Sequence, residues 1–152
     1  MNNRYIILME KNKKIILVGC GNIGSRHLQA IIKIKYATSI QIVEPNVKAQ
    51  KMAKSRLNEI KYNKSTKEFF WHKSLSTIKN ESDLVIIATN SKGRVSLIQK
   101  LLQLGHKKFI VEKMVCQSSD EYKKLLFLFK KFNAKGWVNT NRRYFKYYQN
   151  IK

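Results

Sequence analysis

Three glycines, Gly19, Gly21 and Gly24, stand at the spacing a phosphate-cradling loop requires, within Gly19-Cys20-Gly21-Asn22-Ile23-Gly24. In such a loop the first glycine permits a tight turn and the second lets backbone N–H groups approach a pyrophosphate. The third lets the following helix pack on the preceding strand. A helix opening near Asn22 and Ile23 adds unpaired N–H donors and the positive end of its dipole. Glu44 stands 20 residues beyond Gly24. A carboxylate there, at the tip of a second strand, accepts hydrogen bonds from both hydroxyls of an adenosine ribose. Its charge repels a 2′-phosphate, so NAD is expected in preference to NADP.

The elements that must hold these residues follow from apolar spacing. Ile15-Ile16-Leu17-Val18 reads as a buried strand, and Ile23, Leu28, Ile31, Ile32 and Ile34 follow at roughly helical intervals. Ile40 to Val43 is a second strand; Pro45 and an Asn46 N-cap then start a helix to about Asn58. A polar stretch over 61–67 leads to a short strand, Phe69-Phe70-Trp71, and a short helix over 73–79 turns Leu75 and Ile78 inward. Asp83 to Asn90 is a buried strand whose last residues, Thr89 and Asn90, reach the carboxyl edge where ligands of open parallel sheets bind. A helix from about Lys92 to Leu104 stops at Gly105. Phe109-Ile110-Val111 is the fifth strand and ends at Glu112-Lys113. Ser118 caps a helix to about Phe132, with Tyr122, Leu125, Leu126 and Phe129 inward, and Gly136 to Asn139 is the sixth strand. Another helix is expected over 142–149. This alternation predicts an α/β fold, a doubly wound parallel sheet of about six strands between two helical layers.

Composition narrows the function classes. A chain of 152 residues with 43% hydrophobic content buries a core without disulfides or metals. No apolar run approaches the roughly 20 residues that span a bilayer. Met1 to Lys14 has a short apolar core without a small-residue cleavage site, so a cytoplasmic protein is expected. Cys20 and Cys116 lack metal-ligand or redox-pair spacing and read as reduced, packed thiols, and His72 reads as a strand-end residue. The net charge of +22 invites a nucleic-acid reading, but the lysines are scattered along the chain and no nucleic-acid-binding motif is present. Salt-sensitive adhesion to polyanions is expected in place of specific nucleic-acid binding.

Five segments in order, GCGNIGSRH at 19–27, IVEP at 42–45, IIATNSKGR at 86–94, VEKM at 111–114 and NTNRRYFKYYQ at 139–149, resemble the N-terminal domain of the Gfo/Idh/MocA oxidoreductases. The resemblance divides the chain into an extension at 1–12, an NAD(P)-binding domain at 13–140, and at 141–152 the start of a substrate and oligomerisation domain. It implies oxidation or reduction of a hydroxyl on a small molecule such as a sugar, cyclitol or nucleotide sugar.

Glu112-Lys113-Met114 stands at the family's Glu-Lys-Pro motif. Lys113 is thereby the implied catalytic residue beside the nicotinamide. Its ammonium donates to a carbonyl oxygen that gains charge as hydride arrives, and its neutral amine accepts the hydroxyl proton in the reverse direction. Glu112, Thr89 and Asn90 join the implied cofactor site. Met114 replaces a proline at which many members hold a cis bond. Ala88 to Arg94 stands for Ala-Thr-Pro-Asn-x-x-His and loses both the proline and the histidine. Arg94 cannot accept a proton. Arg142 and Arg143 match an Asn-Arg-Arg run and either face substrate or anchor an interdomain helix. Without the walls of a second domain, catalysis by this chain alone is not expected. The implied partners are a small-molecule substrate and either further copies of the chain or a second-domain partner, with no membrane. A non-catalytic nucleotide-binding or interaction module is the alternative.

Overall fold

The computed structural model describes residues 12–78, 81–140 and 145–146. The elements run β1 (Lys13–Val18), α1 (Asn22–Ile31), β2 (Thr38–Val43), α2 (Val47–Asn58), β3 (Lys67–His72), β4 (Leu84–Ile87), α3 (Arg94–Gln103), β5 (Lys108–Glu112), α4 (Ser119–Lys131) and β6 (Lys135–Asn139). The sheet order is β3-β2-β1-β4-β5-β6, and every pair is parallel. This is the doubly wound sheet expected from the sequence. Its order reverses between β1 and β4, and the carboxyl ends of those strands flank the crevice where such sheets bind ligands.

Side chains alternate across the sheet with the period of two that a strand imposes. Ile15 and Leu17 join Leu28, Ile31, Ala53 and Leu57 of α1 and α2 on one face. Ile16 and Val18 join Val95, Ile98, Leu101 and Leu125 of α3 and α4 on the other. Each strand of the centre is therefore buried on both sides, which is why its sequence is continuously apolar. Among the described residues no helix is long and apolar enough to cross a membrane.

Local expectations shift in three places. The helix expected over 73–79 contracts to a 3-10 turn at Leu75–Thr77, because the Ser74 hydroxyl takes the Ser76 N–H and starts a tighter turn; Leu75 and Ile78 still pack on the core. The strand expected to reach Asn90 ends at Ile87, because the Thr89 carbonyl accepts from the Arg94 guanidinium and leaves the ladder. On α4 the buried stripe is Leu125 and Leu128, with Phe129 set edge-on to Phe109. Tyr122 and Leu126, expected inward, are half-exposed. Leu126 lies about 100° round the helix from Leu125, away from the sheet. The helix expected over 142–149 falls largely outside the described residues.

Candidate functional site

The glycine loop joins β1 to α1, and its three glycines do three separate things. Gly19 has φ +84°, and a Cβ there would lie 2.8 Å from the Thr89 nitrogen. Gly24 brings α1 onto the loop so closely that a Cβ would lie 1.9 Å from the Gly19 oxygen. At Gly21 an added Cβ meets nothing within 4 Å. That open side faces a cleft of about 980 Å³ along the carboxyl edge of the sheet, at the upper end of the usual range for cofactor sites.

Helix α1 begins at this cleft with Gly21 as N-cap, no side chain capping it and no acidic residue in its first turn. Its first intrahelical bond is from the Ser25 N–H to the Gly21 oxygen at 2.9 Å. The N–H groups of Asn22, Ile23 and Gly24 therefore lack intrahelical acceptors and present the positive dipole end outward. Arg56 of α2 adds a full charge beside them, donating to the Asn22 carbonyl at 2.9 Å and the Ser25 hydroxyl at 2.6 Å.

Glu44 follows β2 and is 8% exposed on the cleft wall. Its carboxylate accepts from the Cys20 N–H at 2.7 Å and, through the other oxygen, from the Asn46 N–H at 2.9 Å. It thus fixes the glycine loop against the end of β2 while each oxygen keeps a further lone-pair direction. Burial and the Glu44 charge push the neighbouring Cys20 thiol up to about 12. Beyond Glu44 the cleft is apolar at Leu75, Ile78 and Leu97. Thr89 and Asn90 line the same cleft. The Thr89 hydroxyl is buried with no partner among the described residues. An open Gly21, uncapped amides and an orphaned hydroxyl are what a dinucleotide diphosphate requires, and the residues present fit it.

A second pocket, about 330 Å³, lies beside α1 and is lined by Ile23, Arg26, His27, Glu112, Lys113 and Asn139. Glu112 Oε1 accepts from Asn139 Nδ2 and makes a 2.7 Å contact with His27 Nε2. Burial acts to raise the Glu112 carboxyl, but the bonds from Asn139 and His27, the His27 charge and the Lys113 N–H together hold it below the usual carboxylate range. Lys113 is exposed at the end of β5, and the Lys113–Met114 peptide is cis although methionine stands where proline was expected. Arg94 is 2% exposed and donates to the carbonyls of Thr89, Glu112 and Met114.

Residues 13–140 match the profile of a family described as oxidoreductases with an NAD-binding Rossmann fold, Gfo/Idh/MocA. The chain belongs to this family. Comparison with curated proteins gives no match. Among solved structures, the WlbA dehydrogenase of Bordetella pertussis, in complex with NADH and UDP-GlcNAcA, is 20% identical with a TM-score of 0.76, over 93% of this chain and 41% of that one. The scyllo-inositol dehydrogenase of Lactobacillus casei, with NAD(H) and scyllo-inositol, is 21% identical with a TM-score of 0.72, over 92% and 39%. A Gfo/Idh/MocA family oxidoreductase of Vibrio cholerae is 20% identical with a TM-score of 0.73, over 92% and 42%. The chain spans about two fifths of the length of these proteins.

Within this Gfo/Idh/MocA domain, the expected residues separate into two groups. Gly19, Gly21, Glu44, Thr89 and Asn90 meet in the large cleft, whereas Ile23, Glu112 and Lys113 meet in the second pocket. Asn22 lies at the start of α1, held by Arg56. Glu112, expected to touch cofactor, is engaged by His27 and Asn139 and lies in the lysine pocket. Arg142 and Arg143 lie outside the described residues. Sequence reasoning missed the roles of His27, Asn139 and Arg56. His27 closes the motif at 19–27, which was its one visible signal.

Proposed function

We propose that the chain is the cofactor-holding part of an NAD-dependent oxidoreductase acting on a hydroxyl of a sugar, cyclitol or nucleotide sugar. The observation that carries this reading is the uncapped start of α1 beside the open side of Gly21, on the rim that also holds Lys113. The amides of Gly21, Asn22, Ile23 and Gly24 hold the diphosphate, Gly19 and Gly24 keep them in place, and the free lone pairs of Glu44 take the adenosine ribose. Leu75, Ile78 and Leu97 bracket the adenine, and Thr89 and Asn90 hold the middle of the cofactor. When bound, the nicotinamide supplies the carbon that gives or takes hydride.

Lys113 holds the proton. Its Nζ donates to the substrate oxygen as negative charge develops there, and in the oxidative direction the neutral amine accepts the hydroxyl proton. Glu112, fixed by His27 and Asn139, holds the end of β5 from which Lys113 projects. The walls of a second domain exclude water and select the substrate, and the Asn-Arg-Arg match assigns Arg142 and Arg143 a role in substrate contact or in joining that domain. We place the activity in the cytoplasm, a reading the free thiols of Cys20 and Cys116 support. Trp137, half-exposed on the edge strand β6, supports docking of that domain or of a second copy.

Titration of the chain with NADH, followed by fluorescence, gives saturable binding. No saturable binding at millimolar NADH refutes the proposal. Supplying the second domain of a relative in trans restores turnover, and Lys113→Ala abolishes that turnover while leaving NADH binding in place. Binding with no turnover in the assembled protein leaves a nucleotide-binding module only.

A further inference from the structure

We propose that Arg94 is a positioning residue that couples the cofactor cleft to the lysine pocket, by joining the Thr89 carbonyl to the two carbonyls that flank Lys113. The inference rests on the cofactor reading above. Arg94 is the first residue of α3, directly after Gly93 at φ +73°. One arm of its guanidinium, Nη1, donates to the carbonyls of Glu112 and Met114; the other, Nη2, donates to that of Thr89. Its Nε has no partner among the described residues, so these three carbonyls carry the hydrogen bonding of a charge that is almost fully buried.

This arrangement is particular to arginine. A neutral imidazole offers one N–H, whereas a guanidinium offers five in a rigid fork. The histidine expected at this position from the family pattern therefore cannot join three carbonyls on two segments. The exchange removes a proton acceptor and supplies a strut.

Both ends of the strut reach functional groups. The Thr89 nitrogen crowds Gly19 of the glycine turn, and the Thr89 hydroxyl is the buried, unpartnered group in the cleft. A ligand that engages this hydroxyl fixes the Thr89 peptide, and Arg94 passes that constraint to the backbone on either side of Lys113. An arginine that merely fills space between α3 and β5 transmits nothing.

The test uses ADP-ribose, which fills the nucleotide cleft without a nicotinamide to touch Lys113. In ¹H–¹⁵N spectra of the full chain, saturating ADP-ribose shifts the amide signals of Lys113 and Met114. Arg94→Lys keeps the charge but loses the fork. It binds ADP-ribose about tenfold more weakly, the equivalent of one hydrogen bond to a charged group, and the shifts at Lys113 and Met114 vanish at saturation. Thr89→Val keeps the carbonyl that Arg94 holds but removes the hydroxyl through which the ligand fixes this peptide, and it abolishes the same shifts. Wild-type shifts at Lys113 in Arg94→Lys, or in Thr89→Val, overturn the strut while NADH binding stands. A wild-type chain that binds neither ADP-ribose nor NADH overturns the cofactor reading and the strut together.

Discussion

Replacing Gly21 and Gly24 separately by alanine divides ligand approach from packing. At Gly21 φ is negative, −71° with ψ −151°, and the new Cβ meets no protein atom within 4 Å. The fold has nothing to lose there, and the stability change is within about 0.5 kcal/mol. The methyl instead fills the space through which the diphosphate reaches the amides. Losing one hydrogen bond to a charged group costs about 1.5–3 kcal/mol, roughly a tenfold to 150-fold rise in the NADH dissociation constant. At Gly24 the Cβ falls 1.9 Å from the Gly19 oxygen and 2.8 Å from its carbon. Both groups are backbone, so α1 itself must retreat by about 1 Å or more to reach even a tight contact. Overpacking of this kind costs about 1–3 kcal/mol, partly offset by about 1 kcal/mol of helix propensity gained over glycine. Thermal unfolding and NADH titration read the two effects independently. Gly21→Ala keeps its melting temperature and loses affinity; Gly24→Ala loses both. Wild-type affinity in Gly21→Ala refutes the assignment of the open face to the diphosphate. An unchanged melting temperature in Gly24→Ala refutes the packing argument.

Glu44→Ala strands the buried Cys20 N–H, at a cost of about 1–3 kcal/mol, and removes the charge that disfavours a 2′-phosphate. Parallel titrations are expected to show weaker NADH binding and an NADH over NADPH preference reduced about tenfold or more; an unchanged ratio rules out Glu44 as the discriminating group. Acid destabilises the fold in two stages. Burial lowers the His106 imidazole, against an opposing pull from Glu81, and burial lowers His72, both from an ordinary value of 6.5. For Glu112, burial raises the carboxyl but the Asn139 and His27 bonds outweigh it, leaving it below the ordinary 4.5. In each case the unfolded chain binds the proton more readily. The histidine contributions are therefore complete above about pH 6.5 and fade as pH falls through the lowered values, and the Glu112 contribution fades below the carboxylate range. Melting temperatures between pH 4 and 8 are expected to fall on acidification. His106→Asn is expected to flatten the upper stage, and a melting temperature that rises from pH 7 to pH 5 contradicts the assignment.

What the sequence disclosed was local. Gly19, Gly21 and Gly24 carry their roles in their spacing, because turn, approach and packing are all decided within one strand–loop–helix unit. The parallel sheet followed from continuous apolar strands alternating with amphipathic helices. Glu44 was legible as the acid at the tip of β2, but its bonds to Cys20 and Asn46 depend on how the glycine turn folds back over that tip. Each of His27, Glu112 and Asn139 stands in a motif segment, but nothing local shows that they form a cluster. His27 and Glu112 are 85 positions apart, and Glu112 and Asn139 are 27 apart. Packing of α1 and pairing of β5 with β6 bring them together. Arg94 was visible only as the loss of a histidine; what it gained required the positions of three carbonyls on two segments.

The chain's charge and its site obey different rules. Thirty-one basic residues against nine acidic ones give a surface attractive to any polyanion, and Lys73 and Lys100 stand on the cleft wall itself. The diphosphate position we propose is built from peptide N–H groups, which are neutral, fixed in direction and unable to follow a ligand that lacks the right geometry. Two of the few acids, Glu44 and Glu112, are spent at the ends of β2 and β5 on this same rim. Each accepts hydrogen bonds from a neighbouring segment: Glu44 from the glycine loop, Glu112 from α1 and β6. Carboxylates placed beside a site for an anionic cofactor are unfavourable as bare charges. They are tolerated because their donors are already in place, and in return they fix the loops that present the amides and Lys113. In the reading we propose, specificity in this domain comes from acids that organise backbone, set within a basic chain whose scattered lysines add non-specific attraction.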